Sequence, residues 1–389
     1  MTAFLLKNHH IFILSHSLGI LLRVINMIEN LTKHNIHFTT EYCKSNMTVP
    51  VVYSDDYLRN EMLDLNLARL CCTLCCCSYD EEILKKALAD AEFTDIKALY
   101  SPPSENTASV CIARKGKNLF IIIRGTEGEE WYNNFRTGME DTHQGYYDTV
   151  KFLKPLLNDY IQSDYRLLFT GHSRGGALSN LLASDLIKSG RENVFAYTFA
   201  SPNVTTKDEV YSHRFCNIYN FVYEDDFITH CPLREWGYNR YGNTIRFKTQ
   251  EINYKKLKKS FKELTGIDFV TFRDCGEMVD TFIDTALRLA SNPYEYYNKG
   301  YLVDESYLTL YDYFQTICDV FTDNNSFDAG ITLLATKLSS FAPISNFLVS
   351  GIDIPSLLSQ GNAENSCAMF AHSCLTYLCL LNTQKIKAP

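Results

Sequence analysis

The stretch Phe169-Thr170-Gly171-His172-Ser173-Arg174-Gly175-Gly176-Ala177-Leu178 constrains this chain more than any other. The apolar run Leu167 to Phe169 has the character of a short buried strand. A glycine-flanked serine follows, and then a helix-forming stretch, Ala177 to Ile187, with Leu178, Leu181, Leu182 and Ile187 apolar. G-x-S-x-G between a strand and a helix puts the serine on a sharp, strained turn. Its neighbours must be small, and Gly171 and Gly175 omit the Cβ atoms that would collide there. Ser173 is then lifted above a sheet edge, over a helix N-terminus that favours negative charge. The bland alternative is a tight turn that happens to contain a serine.

The surrounding pattern alternates strands with helices. Asp55 to Tyr79 reads as a long helix, with Leu63, Leu67, Leu70 and Leu74 at helical spacing. Asp80 starts another, with Ile83, Leu84, Ala87, Leu88 and Ala91 on one face. Ser101-Pro102-Pro103-Ser104 is a loop. Ser109 to Arg114 and Leu119 to Arg124 are strands with Gly116 in the turn between them. Phe120-Ile121-Ile122-Ile123 is continuously apolar, as befits a strand covered on both faces. Tyr146 to Leu157 reads as a helix, and Val194 to Phe199 and Asn217 to Tyr223 as further strands. The alternation predicts an α/β fold, a mostly parallel central sheet with helices on both faces. Functional groups in such sheets gather at the carboxyl ends of the strands.

Two ends of this region differ from it. Residues 1–50 read as a peripheral N-terminal extension, and residues 51–389 as one domain. From about 245 to 360 the strand pattern fades. Ile252 to Leu264, Met278 to Leu289, Leu308 to Phe321 and Ile331 to Phe341 read there as helices, a cap- or lid-like insertion before the C-terminal His372. Ile11 to Leu22 is apolar but interrupted by Ser15, His16 and Ser17, and too short to span a bilayer. A helix or extension suits it better than a secretion signal.

A net charge of −8 disfavours a general nucleic-acid role. Of the 14 cysteines, five crowd into Cys71-Cys72-Thr73-Leu74-Cys75-Cys76-Cys77, too close to pair sensibly with one another. Free thiols in a reducing, cytoplasmic compartment are the simpler reading, with secretion as the alternative. Cys72-x-x-Cys75 has no second well-spaced Cys/His pair to complete a metal site, so small apolar packing on a buried helix is expected, with no metal.

A nucleophilic serine needs a base, an orienting acid and donors for an oxyanion. Acid and base are expected later in the chain than the serine, in that order. Asp226 closes the strand Asn217 to Tyr223 region, with Glu224 and Asp225 as adjacent rivals. Of ten histidines, His372 alone lies well beyond Asp226, at the start of an apolar helix. His172 adjoins the serine, and its side chain is expected to point away. The Arg174 backbone N–H is one candidate oxyanion donor. Thr126, in the turn Arg124-Gly125-Thr126-Glu127 after an earlier strand, is the other.

These residues together resemble the class 3 lipase family, the fungal-lipase-like branch of the α/β-hydrolases. Arg124-Gly125-Thr126 followed by Trp131 resembles its R-G-[ST] segment. His143-Gln144-Gly145-Tyr146 resembles H-x-G-[FY], and Gly171 to Leu178 resembles G-H-S-x-G-G-A-L. Asp226 to Pro232 resembles D-x-[VI]-P-x-L-P, and His372 with Tyr377-Leu378 resembles H-x(4)-Y-[LI]. The likeness covers roughly 53 to 380. It implies a triad of Ser173, Asp226 and His372, an oxyanion hole of Thr126 and Arg174, and carboxylic-ester hydrolysis without a cofactor. The implied substrate is an acylglycerol, a related lipid or a small ester. Two departures stand out: Arg174 replaces the usual Leu, putting a charge beside the nucleophile, and Thr229 replaces a proline. The helix Ile252 to Leu264, with Lys255, Lys256, Lys258, Lys259 and Lys262, is a candidate for transient contact with an anionic lipid surface, against an ordinary solvated face. A non-catalytic scaffold and an acyltransferase with the same triad are the rival readings. The oligomeric state is not legible.

Overall fold

The computed structural model describes residues 31–271 and 367–384, apart from 41–42, 44, 59–62, 105, 128–129, 131–132, 135, 138–140, 233 and 235–236. Trp131 and the three expected helices between 278 and 341 lie outside the described residues, as does most of the expected insertion.

Seven strands form the central sheet, in the order in which the chain supplies them. These are β3 (Thr94–Leu99), β4 (Val110–Lys115), β5 (Asn118–Ile123), β6 (Arg166–His172), β7 (Val194–Phe199), β8 (Ile218–Tyr223) and β9 (Asn243–Phe247). β3, β4 and β5 pair antiparallel, and β5 through β9 pair parallel. This is the mostly parallel α/β arrangement that the alternation of strands and helices predicts. The register aligns Ile123 with Gly171 and His172 with Phe199, so the carboxyl ends of β5, β6 and β7 share one rim.

The apolar runs divide residue by residue between two cores, because successive side chains on a strand face opposite ways. Leu119, Ile121, Ile123, Leu167 and Phe169 pack beneath α3 (Gln144–Ile161) and α4 (Arg174–Lys188). Phe120, Ile122 and Leu168 face the other core, under α1 (Leu65–Cys77), α2 (Glu81–Asp90), α5 (Tyr254–Thr265) and α7 (Cys374–Thr383). A short α6 (Cys367–His372) precedes α7. The cysteines of α1 are all buried. Cys72 Sγ lies 3.9 Å from Cys374 Sγ, so the thiols sit in the seam between α1 and α7. Cys75 lies against Thr170 Oγ1 at 3.4 Å, on the sheet side of the same buried helix.

Several expectations need correcting. The helix expected from Asp55 begins at Leu65, because the Asp64 carboxylate accepts the backbone N–H groups of Asn66 and Leu67 and caps it. Residues 1–50 are not wholly peripheral. β1 (Thr32–Phe38) and β2 (Met47–Tyr53) form an antiparallel ribbon, and Ile36, Phe38, Met47, Val49 and Val51 are buried in the core over α1 and α2. Two sheet strands carried too little signal to be read. β3 is a solvated edge strand with a register shift, and β9 buries only Ile245 and Phe247. The basic helix α5 spends its apolar face internally: Leu257 and Phe261 are buried, while Lys255, Lys256, Lys259 and Lys262 are exposed. No helix among the described residues is long and apolar enough to cross a membrane.

Candidate active site

Ser173 ends β6 and begins α4 with φ 55° and ψ −128°, a conformation costing about 1–3 kcal/mol in a non-glycine residue. The turn is held by the Ser173 N–H donating to Phe199 O at 2.9 Å on the neighbouring strand. It closes only because two glycines let backbone meet backbone. A Cβ on Gly171 would stand 2.3 Å from the Gly175 carbonyl, and one on Gly175 would stand 2.2 Å from Ile123 O and 2.7 Å from Arg124 O. The second of these contacts presses the first turn of α4 against the end of β5, where Arg124-Gly125-Thr126 begins.

The structure brings Ser173, His372 and Asp226 into series. Ser173 Oγ lies 2.8 Å from His372 Nε2, and His372 Nδ1 lies 2.9 Å from both carboxylate oxygens of Asp226. Exposure decides which group meets a ligand: Asp226 is 0 % exposed, whereas Ser173 keeps 7 % and His372 9 %. With the carboxylate accepting at Nδ1, that nitrogen carries the proton and Nε2 is free to accept from the serine.

Asp226 is fastened from two further sides. Tyr377 Oη donates to Oδ2 at 2.6 Å, and the Ile228 N–H donates to Oδ1 at 3.1 Å. Burial, reinforced by the Asp226 charge, pushes the Tyr377 hydroxyl well above its ordinary range, so it remains a neutral donor. The rivals point elsewhere. Asp225 accepts from Tyr223, Tyr254 and Thr249, and Glu224 accepts the Thr249 N–H. Thr229, standing where the family has proline, donates its hydroxyl to Asp226 O at 2.8 Å.

His172 does not simply point away. Its ring centroid lies 4.8 Å from that of His372, and its Nε2–H donates to the His372 carbonyl at 2.7 Å. Tyr79 Oη, 3.0 Å from its Nδ1, fixes the tautomer by donating there. Burial, and then the neighbouring His372, push its pKa well below the ordinary value, so it is neutral. His172 thus holds the backbone of His372 rather than competing with it.

On the oxyanion side, Thr126 is buried and its Oγ1 accepts from Asn134 Nδ2 at 2.8 Å. Asn134 O in turn accepts from His143 Nε2 at 3.2 Å, and His143 stacks on Tyr146 with centroids 3.8 Å apart. This explains His143-Gln144-Gly145-Tyr146 physically. It braces the segment behind Thr126, and a Cβ on Gly145 would stand 1.9 Å from Asn133 O. Arg174 departs from expectation. Its guanidinium does not lie beside the nucleophile but is fully buried, donating to Thr107 O at 2.9 Å and Thr149 Oγ1 at 2.8 Å. Asn134, His172 and Tyr377 received no individual role from the sequence. Only the position of His172 in the elbow and of Tyr377 in the last motif marked them.

Residues 131–236 match the family Lipase (class 3). The match bears out the resemblance for the His143 segment, the Ser173 elbow and the Asp226 segment, while Thr126 and His372 lie outside it. Among curated proteins, a lipase of Rhizopus niveus is 24% identical over 211 residues, covering 45% of this chain and 52% of the relative. Phospholipase A1-IIalpha of Arabidopsis thaliana is 28% identical over 130 residues, covering 30% of each. The chain spans about half the length of the first of these relatives. Among solved structures, the lipase from Rhizopus microsporus var. chinensis aligns at TM-score 0.37 and 21% identity, covering 51% of this chain and 76% of that one.

Proposed function

We propose that this chain, which carries a class 3 lipase segment at residues 131–236, is a serine-dependent carboxylic-ester hydrolase. The observation that carries the reading is the unbroken line from Ser173 Oγ through His372 to Asp226, each link 2.8–2.9 Å long. In this reading His372 Nε2 takes the Ser173 proton as Oγ attacks the ester carbonyl. Asp226 accepts from Nδ1–H and stabilises the imidazolium that forms. The Thr126 turn and the Arg174 N–H hold the oxyanion. His372 then returns its proton to the leaving alcohol, and water, activated by the same imidazole, releases the acid.

Lipid esters, acylglycerols among them, are the substrate class we propose. The relatives' names point that way, and exposed lysines on α5 offer an electrostatic approach to an anionic surface. Because the apolar face of α5 is packed internally, that contact would be electrostatic rather than insertive. The five buried thiols of α1, none in a disulfide, fit a reducing compartment.

The first test is p-nitrophenyl ester turnover together with labelling by a fluorophosphonate probe. Wild-type protein is expected to do both, and Ser173→Ala neither. Full activity in folded Ser173→Ala overturns the reading. A chain-length series above and below the micellar threshold tests the lipid part. Strict preference for short, soluble esters would remove it.

A further inference from the structure

A charged bridge joins the two sides of the proposed oxyanion hole. The Glu130 carboxylate accepts from Arg124 Nη2 through Oε1 at 2.9 Å, and from the Glu127 N–H through Oε2 at 2.9 Å. The same Oε2 lies 3.1 Å from Arg174 Nη1, an ion-pair contact not aligned as a hydrogen bond. Glu130, Arg124 and Arg174 are all buried, and Arg124 pairs additionally with Glu127. Arg124 directly precedes Gly125-Thr126, and Arg174 directly follows Ser173.

We infer that Glu130 is a positioning residue whose shared carboxylate keeps the Thr126 turn in register with the Ser173 elbow. The inference rests on the ester-hydrolase reading and concerns the same site. A guanidinium cannot shed its proton in a protein, so two buried ones need anions. Arg124 and Arg174 are balanced by Glu127 and Glu130, and among the described residues Glu130 is the only carboxylate paired with Arg174. Arg174 is anchored on its far side by Thr107 and Thr149, so it is a fixed post, and Glu130 ties the turn to it. Burial pushes the Glu130 pKa up, while Arg174 and then Arg124 pull it back down. Arg174, the departure from the family's leucine, thus has a partner that accounts for it.

The charge count gives the test a direction. Glu130→Gln keeps shape and an acceptor for Arg124 but leaves Arg174 without an anion. Adding Arg174→Leu removes that unpaired cation, leaves the Arg124–Glu127 pair, and keeps the backbone N–H at position 174. With p-nitrophenyl butyrate, E130Q is expected to lose roughly 10- to 100-fold in kcat with KM little changed, as for a displacement of about 1 Å at a reacting centre. E130Q/R174L restores the charge balance but not the tie between turn and elbow, so it is expected to recover stability and to stay roughly 10- to 100-fold down in kcat. A wild-type kcat in E130Q overturns the inference, and so does a double variant that regains wild-type kcat, because the unpaired charge and not the lost tie would then account for the defect. Should E130Q fail to fold, the charge-balanced double variant decides. It is expected folded and slow with KM little changed, and a wild-type kcat or an unfolded protein counts against the inference. Loss of Ser173-dependent turnover in the wild type itself would count against the ester-hydrolase reading instead, so the two failures are told apart.

Discussion

Tyr377→Phe removes one oxygen and disturbs two buried partners. Tyr377 Oη donates to Asp226 Oδ2 at 2.6 Å and accepts the Tyr223 N–H at 3.0 Å. Both Tyr377 and Asp226 are wholly buried, so water cannot replace either bond. A hydrogen bond to a charged group contributes about 1.5–3 kcal/mol, and a buried N–H left without a partner costs about 1–3 kcal/mol. Allowing for relaxation, the variant is expected to lose on the order of 3–4 kcal/mol of stability. The internal control is Tyr254→Phe, the same deletion in half-buried surroundings, where Oη meets Asp225 Oδ2 at 2.8 Å. It is expected to cost about 1 kcal/mol. Urea unfolding followed by circular dichroism measures both. Activity adds a second signal. Asp226 keeps the Ile228 N–H and His372, so the triad stays assembled but the carboxylate is less firmly aimed. A loss of about tenfold in kcat, equivalent to roughly 1.4 kcal/mol, is expected. If Tyr377→Phe is no less stable than Tyr254→Phe, the account of how Asp226 is held is wrong.

Gly175→Ala is expected to fail on steric grounds, because its Cβ would meet two carbonyl oxygens of the β5 end that cannot move independently. A cost of about 1–3 kcal/mol in stability and a clear drop in ester turnover are expected, whereas Gly190→Ala, at φ 86° with open space around it, should lower stability by about 1 kcal/mol and spare turnover. Melting temperatures and initial rates settle both. The pH dependence follows from buried neutral histidines. Burial lowers the pKa of His143 and of His230 to about 3, and that of His172 also falls well below 6.5. The unfolded chain therefore binds protons between about pH 6.5 and pH 3 that the folded chain refuses. Stability must fall as pH falls through that window, by up to about 1.4 kcal/mol per unit for each histidine. His143→Gln should reduce the slope by about one proton, whatever it does to the level. An unchanged slope in urea titrations from pH 6.5 to 4.5 would refute the assignment.

Much of the fold was legible because its signals are local. The alternation of apolar runs with helical spacing located β4 to β8 and α3, α4 and α5 to within a few residues, since burial on one or both faces writes a period directly into the chain. The elbow was legible for a related reason: a serine at φ 55° between close-packed backbones admits little besides glycine on either side. Order along the chain picked Asp226 and His372 out of several acids and ten histidines. What failed was what local pattern does not encode. The ribbon of β1 and β2 looked peripheral because its burial against α1 and α2 is a tertiary contact that its own sequence does not announce, and β3 and β9 are too exposed or too short to show a period.

Tertiary structure alone decided which charges meet. Nothing in the spacing of Glu130 and Arg174 says that they touch, and the sequence suggested a cation beside the nucleophile where the fold buries a neutralised one. His172 likewise gained its role only when α6 brought the His372 carbonyl to its Nε2–H. Backbone conformation and apolar periodicity are properties of neighbouring residues, so the chain states them in order. Pairing of buried polar groups depends on long-range packing, and only the folded molecule brings those groups within bonding distance.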